Sequence, residues 1–281
     1  MVNILPDVLV TLPVHNEVDR IYLTTHLLAD ALDDSGLNYA LSIAEDGSTD
    51  GTQSVVRKLE AEIPTLIVQS LPRKVGRGLA LRKLWSKHSA RIFAFMDADL
   101  ATSPTSLIEV IHTCQSGIDV VSGSRYVPGA VVRRPPARLA VSKGYNALVR
   151  MLFQVQTRDH QCGLKAFTSE AVQRIMPLCR EDSWVWDTEV LVVAAYLGLQ
   201  VREVPVSWTE FRNSKTPWKR LLSDVQLHGT ALIRLKSSVQ DLSRPRMTPP
   251  SEDVESITGE LSASNFVPKK RGAPLASRTR R

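Results

Sequence analysis

The chain is poor in cysteine. Its 281 residues include three, Cys114, Cys162 and Cys179, an odd number with no C-x-x-C spacing. That excludes a disulfide framework and a ribbon-type zinc site, and it fits a reducing compartment such as the cytoplasm. An uninterrupted apolar run of about 18 residues, the length a spanning helix needs, is also missing. No segment is therefore expected to cross a membrane, and the longest apolar run, 190–199, suits a buried helix. The stretch 2–12 is broken by Pro6 and Asp7 and does not read as a signal peptide. None of the six histidines forms a pair with metal-ligand spacing, and there is no internal repeat. The body also lacks a strong charge of one sign. Residues 244–281 carry eight Lys/Arg against four acids, which is +4 of the net +6. The high isoelectric point thus belongs largely to the tail, and no nucleic-acid partner is expected. What is present is a globular composition, with 43% hydrophobic and 23% charged residues, enough for a sizeable core.

Apolar runs alternate with helical spacing through the first half. Strands are expected at 8–12 (ending at Pro13), 39–44, 66–68 and 91–96, and helices over 18–34, 52–63 and 78–88. Such alternation implies a mainly parallel sheet covered by helices. The second half is less regular. Strands are expected near 119–125, 161–167 and 200–206, and helices within 139–155, 184–199 and 218–242. The remainder, rich in Ser, Pro and charge, is expected to be disordered.

Three polar clusters follow directly on strands: Glu17, Asp46, and the pair Asp97 and Asp99. In an open α/β sheet such positions line one edge, where ligands bind, so these acids should converge. Asp97-Ala98-Asp99 is the sharpest feature. In an extended segment residues i and i+2 project to one side, and two carboxylates there repel unless a cation offsets them. Oxygen ligands of this kind suit Mg²⁺ or Mn²⁺ together with phosphate oxygens. In Asp46-Gly47-Ser48-Thr49-Asp50-Gly51-Thr52, Asp46 is placed to accept hydrogen bonds from a base or ribose, Gly47 lets backbone approach a ligand, and Asp50 or Thr52 caps the next helix.

Together with Pro13-Val14-His15-Asn16-Glu17, the loop Arg73-Lys74-Val75-Gly76-Arg77-Gly78, Gly123-Ser124-Arg125-Tyr126, Gln161-Cys162-Gly163-Leu164-Lys165 and Phe211-Arg212-Asn213-Ser214-Lys215, these segments resemble the family 2 glycosyltransferases, and by motif the polyprenyl- or dolichyl-phosphate sugar synthases. The resemblance covers about residues 6–220. It implies a GT-A (Rossmann-like) α/β fold with helices on both faces. Residues 1–216 would form the catalytic domain and 244–281 a disordered basic tail; 217–243, like 139–155, combines apolar and basic faces, as membrane-interfacial helices do. It further implies that Pro13, His15, Glu17, Asp46, Lys74, Asp97, Ala98 and Asp99 hold the nucleotide-sugar donor. Asp97 and Asp99 would also hold the metal. Arg125, with Arg133, Arg134 or Arg138, would meet a lipid-phosphate acceptor, and Arg212 and Lys215 would close on the donor diphosphate. The protein would sit peripherally on the cytoplasmic face of a membrane.

Two positions depart from the mannose-type pattern: His15 replaces a Tyr and Ala101 a Gln. Ala101-Thr102 and Gln-Cys-Gly-Leu-Lys look more like the glucose-type enzymes. An acceptor hydroxyl, the alternative, would need a general base, for which Asp187 or Glu189 are candidates. Both acids also suit a helix start.

Overall fold

The computed structural model describes residues 6–209 and 229–240. The elements run β1 (Val8–Val14), α1 (Ile21–Asp34), β2 (Tyr39–Glu45), α2 (Thr52–Glu62), β3 (Ile67–Ser70), α3 (Arg77–Trp85), β4 (Ile92–Met96), α4 (Pro104–Gln115) and β5 (Val120–Ser124). They continue with β6 (Val131–Arg133), α5 (Pro136–Phe153), β7 (Leu164–Thr168), α6 (Ser169–Ile175), α7 (Trp186–Tyr196), β8 (Val201–Pro205) and β9 (Ser207–Thr209). Seven strands form one sheet in the order β3-β2-β1-β4-β7-β5-β8. Its neighbours are parallel except around β7, which is antiparallel to both β4 and β5. β6 and β9 make a small parallel pair.

The period of two in the strands sorts side chains into two layers. Val8, Val10, Leu12 and Val14 pack with α1, α2 and α4. Leu9, Phe93 and Phe95 face the other way, into a cluster with Trp85, Phe167 and Trp186 from α3, β7 and α7. Thr11 lies on that second face and is fully buried, so its hydroxyl is satisfied by Ser42 Oγ (2.8 Å) and by the Trp85 indole N–H (2.9 Å). Helices thus cover both sides of the sheet.

Some sequence expectations shift. β1 continues through Pro13 to Val14. It pairs with β4 only over Val8–Thr11, so a residue without an N–H is accommodated beyond the last β4 partner. The short elements β6, α6 and β9 were too brief for periodicity to reveal. Ser103 caps α4, accepting the Ser106 N–H, with Pro104 in the first turn. Of the helix expected over 218–242, residues 218–228, 241 and 242 lie outside the described residues. The part at 229–240 is helical and sets Leu232, Leu235 and Val239 into the same core cluster as the α7 residues, while Ile233 is 73% exposed. Among the described residues no helix is long and apolar enough to cross a membrane.

Candidate active site

β2 lies on one side of β1 and β4 on the other, so the chain reverses direction across the sheet there and leaves a crevice at the carboxyl ends of these strands. Three loops meet in it. The one after β1 and the one after β2 are laced together. Asn16 N–H donates to Ser48 Oγ, and Thr49 N–H donates to Asn16 Oδ1. Glu17 N–H reaches Thr52 Oγ1, and Val18 N–H reaches Asp50 Oδ2. His15 Nδ1 must carry a proton, because it lies 2.8 Å from the carbonyl oxygen of Asp46. The half-buried Glu17 carboxylate is 3.4 Å from Arg20.

Asp46 is buried and accepts the N–H groups of Val75 (2.6 Å) and Gly76 (2.9 Å). Both of its carboxylate oxygens therefore shape the loop before α3, where a direct contact with base or ribose was expected. Gly47 also differs from expectation: the backbone that approaches it is the protein's own. Its φ is +61°, and a Cβ there would lie 2.2 Å from the Arg73 carbonyl carbon. Lys74 in this loop is exposed.

The next residue along closes the site. Arg77, at the start of α3, pairs with Asp97 after β4 and with Asp187 at the start of α7, and stacks 4.3 Å from the centroid of the exposed Trp184 ring. Asp187 is fully buried, and its other oxygen accepts from Lys165 Nζ at 2.9 Å. Lys165 is itself fully buried on β7 and also donates to the Cys162 carbonyl at 2.6 Å. Sequence reasoning named Asp187 but missed the roles of Arg77 and Lys165. A lysine within the apolar strand Leu164–Thr168 was the available signal, since buried charges are found paired.

The Asp97–Asp99 segment is a turn and not the extended stretch assumed from sequence. Thr24 Oγ1 donates to the Ala98 carbonyl at 2.8 Å, Asp99 Oδ1 accepts the Ala101 N–H at 3.0 Å, and Leu100 takes φ +57°. These bonds fold the chain back at once after Met96 and fix the Ala98 backbone toward α1. Asp97 stays at the sheet edge through its N–H to the Gly163 carbonyl (2.8 Å). A Cβ on Gly163 would fall 1.8 Å from Asp97 Oδ2, so only glycine lets the carboxylate lie there. Desolvation pushes the Asp97 carboxyl up to about 6; Arg77 opposes this, and Asp99 and Asp187 add to it. Three carboxylates, Asp97, Asp99 and Asp187, thus share the site with two cations, Arg77 and Lys165.

A second, positive pole lies beside it. Arg125 clamps the buried Asp159 through Nε (2.7 Å) and Nη2 (2.8 Å). Its fork is committed to Asp159, where contact with an acceptor phosphate was expected. Burial, together with the nearby Arg125 and Arg138 charges, pushes the Arg134 guanidinium down, the mark of crowded cations. Arg125 and Arg134 both stack on Trp208, at 5.5 and 5.2 Å from its centroid. The Cys162 thiol, which burial pushes up to about 12, feels Asp159, Arg125, Lys165 and Asp97 at once. Segment 159–165 therefore runs between the two poles. Cys162 is packed and protonated, as expected of a non-nucleophile. Glu189 accepts the N–H groups of Arg180 and Glu181, each at 2.9 Å, which makes it a support for the turn before α7. Arg212 and Lys215 lie outside the described residues.

His160, next to Asp159, is fully buried, and Asn146 Oδ1 accepts both its N–H and its Nδ1–H, at 2.9 and 3.0 Å. Its Nε2 is buried with no partner among the described residues. Burial pushes the imidazole down to about 4; Asp159 opposes this, while Lys165 and Arg150 reinforce it. The unfolded chain takes up this proton near pH 6.5 and the folded one resists until about 4, so stability falls as pH drops through that window. Denaturant titrations should show the wild type losing about 3 kcal/mol more than His160→Gln between pH 7 and 4. Equal acid slopes would refute the neutral, buried imidazole.

A mainly parallel sheet with this order, and an acid pair at its reversal point, defines an α/β domain of the GT-A type. The chain belongs to glycosyl transferase family 2: residues 9–176 match the model of that family. It is 34% identical over 245 residues to the glycosyltransferase AglD of Haloferax volcanii, covering 86% of this chain and 38% of that protein. It is 28% identical over 229 residues to the dolichyl-phosphate beta-glucosyltransferase of Saccharomyces cerevisiae, covering 73% of this chain and 68% of the yeast protein. The chain thus spans well under half the length of the first relative. In fold it is similar to glucosyl-3-phosphoglycerate synthase from Mycobacterium tuberculosis, solved with Mn²⁺, UDP and phosphoglyceric acid. That likeness has a TM-score of 0.64 at 20% identity, over 82% of this chain and 78% of that one.

Proposed function

We propose that the protein transfers a hexose from a nucleotide-sugar, of the UDP-glucose or GDP-mannose type, to a polyprenyl or dolichyl phosphate at a membrane surface, peripherally on its cytoplasmic face. The observation that carries this reading is the pairing of poles. Asp46, the Val75–Gly76 backbone, Arg77 and Asp97 form one connected chain across three strand ends. The arginine cluster lies just across segment 159–165. The first pole suits a nucleotide diphosphate, the second a phosphate monoester.

The acid pole also fits a divalent cation. Among the described residues no three His, Cys, Asp or Glu gather as a metal cage. Mg²⁺ and Mn²⁺ are commonly held by one or two carboxylates plus substrate phosphates; Asp97 and Asp99 would supply the carboxylates, and the smaller repulsion that Asp99 and Asp187 add at Asp97 is what such an ion relieves. When bound, it neutralises charge building on the leaving diphosphate. The chain's own residues do the rest. Asp46 fixes the loop that presents Arg77, and Lys165 and Asp187 hold Arg77 in place. Trp184 covers its outer face. Arg134 and Arg138 attract the acceptor, which is already anionic and needs positioning rather than deprotonation. Direct attack by its oxygen would invert the anomeric carbon. The alternative, Asp187 as base for a hydroxyl acceptor, is disfavoured because both its oxygens are engaged by cations.

The test is donor-selective stabilisation. With Mn²⁺ present, either UDP-glucose or GDP-mannose, but not both, should raise Tm by roughly 5–10 °C at a hundredfold excess over Kd, and sugar should then appear in a lipid extractable into organic solvent. No shift with any nucleotide-sugar would defeat the reading.

A further inference from the structure

We infer that the outer face of α5 is the surface by which the protein docks on an anionic lipid bilayer, an inference that rests on the lipid-phosphate reading above. α5 is two-faced. Ser142, Asn146, Val149 and Phe153 turn inward, the last two into the core. Ala140, Val141, Gly144, Ala147, Leu148 and Met151 are all exposed, at the three- and four-residue spacing of one helical stripe. Val141 is 49%, Leu148 40% and Met151 71% exposed. Single exposed apolar residues need no explanation, but a stripe of this kind does.

Charge says what covers it. The helix Pro136–Phe153 contains Arg138, Lys143 and Arg150 and no acid. An apolar stripe flanked only by cations is complementary to a bilayer carrying negative headgroups. The exposed Arg133 on β6, just before the helix, extends the same charge.

Position says what the docking achieves. Tyr145 hydroxyl bonds Thr188 Oγ1 at 2.8 Å, next to Asp187 of the acid pole. Asn146 holds His160, next to Asp159, which clamps Arg125 of the positive pole. One helix therefore ties a lipid-facing stripe to both halves of the site and brings headgroup phosphates to its mouth.

Flotation of the full chain with vesicles that contain no polyprenyl phosphate tests this independently of catalysis. Wild type should float with phosphatidylcholine vesicles that include phosphatidylglycerol, and weakly with phosphatidylcholine alone. Val141→Glu/Leu148→Glu/Met151→Glu should reduce the bound fraction at least about tenfold, since each lost apolar contact weakens insertion. Ile233→Glu, as exposed as Met151 but on the helix at 229–240, should float like wild type. Lys143→Glu/Arg150→Glu should lose the preference for anionic vesicles and keeps the test decisive if the triple variant does not fold. A retained nucleotide-sugar Tm shift in either α5 variant separates loss of docking from loss of the site. Wild type that fails to float, or α5 variants that float unchanged, would overturn the inference. So would a dimer that the triple variant splits without any change in flotation, because the stripe would then belong to a second copy.

Discussion

Asp99→Asn should lower kcat/KM for sugar transfer by about 10²- to 10³-fold, the size of effect seen when one charge-stabilising group is removed. Asparagine keeps an oxygen at Oδ1, so the bond from the Ala101 N–H that folds the turn can survive. Only the charge is lost. Stability should therefore stay within about 0.5 kcal/mol of wild type. The Mn²⁺-dependent part of the donor Tm shift should shrink in parallel, a readout separate from turnover. Full activity in a well-folded Asp99→Asn preparation would remove Asp99 from the site.

The second large effect lies deeper. Asp187→Ala removes the carboxylate that Lys165 and Arg77 share; Arg77 keeps Asp97, but the fully buried Lys165 loses its counter-ion. Breaking a buried pair by removing one partner costs about 3–5 kcal/mol, because the Lys165 ammonium is left without water or counter-ion. A double-mutant cycle with Lys165→Met gives the sharper result. Lys165→Met/Asp187→Leu replaces the pair by apolar groups and should recover much of the lost stability. It should not recover activity, because Arg77 has lost the carboxylate that aims it. Thermal melts and kcat measured together read the two effects apart. If activity returned with stability, Asp187 would be a packing residue with no positioning role.

The site was legible in sequence to the extent that it is local. Polar clusters following apolar runs correctly pointed to one sheet edge, because a parallel sheet puts all its strand-to-helix turns at the same end. Ser103 caps α4 through a bond to the Ser106 N–H only three residues on, with Pro104 in the first turn, a start signal of the local kind that sequence carries. The contacts that give those residues their roles were hidden. Arg77 meets Asp187 across 110 positions, Arg125 meets Asp159 across 34, and Lys165 meets Asp187 across 22. No spacing rule links such pairs, and so Arg125 was expected at a phosphate when its fork holds Asp159. The Asp97–Asp99 segment was misread for a related reason: Thr24, 74 positions upstream of Ala98, captures the carbonyl that makes it a turn.

Apolar periodicity by itself determined that this protein is an α/β domain with a mainly parallel sheet covered by helices, because burial depends only on which side chains can leave water, and that is written residue by residue. Motif order determined its family. The tertiary structure alone decided that β7 enters between β4 and β5 in the opposite direction, that Lys165 on it reaches Asp187, and that α5 turns an apolar stripe outward. Each depends on which distant surfaces meet, and the free energy of those meetings belongs to pairs of segments rather than to either segment's own composition.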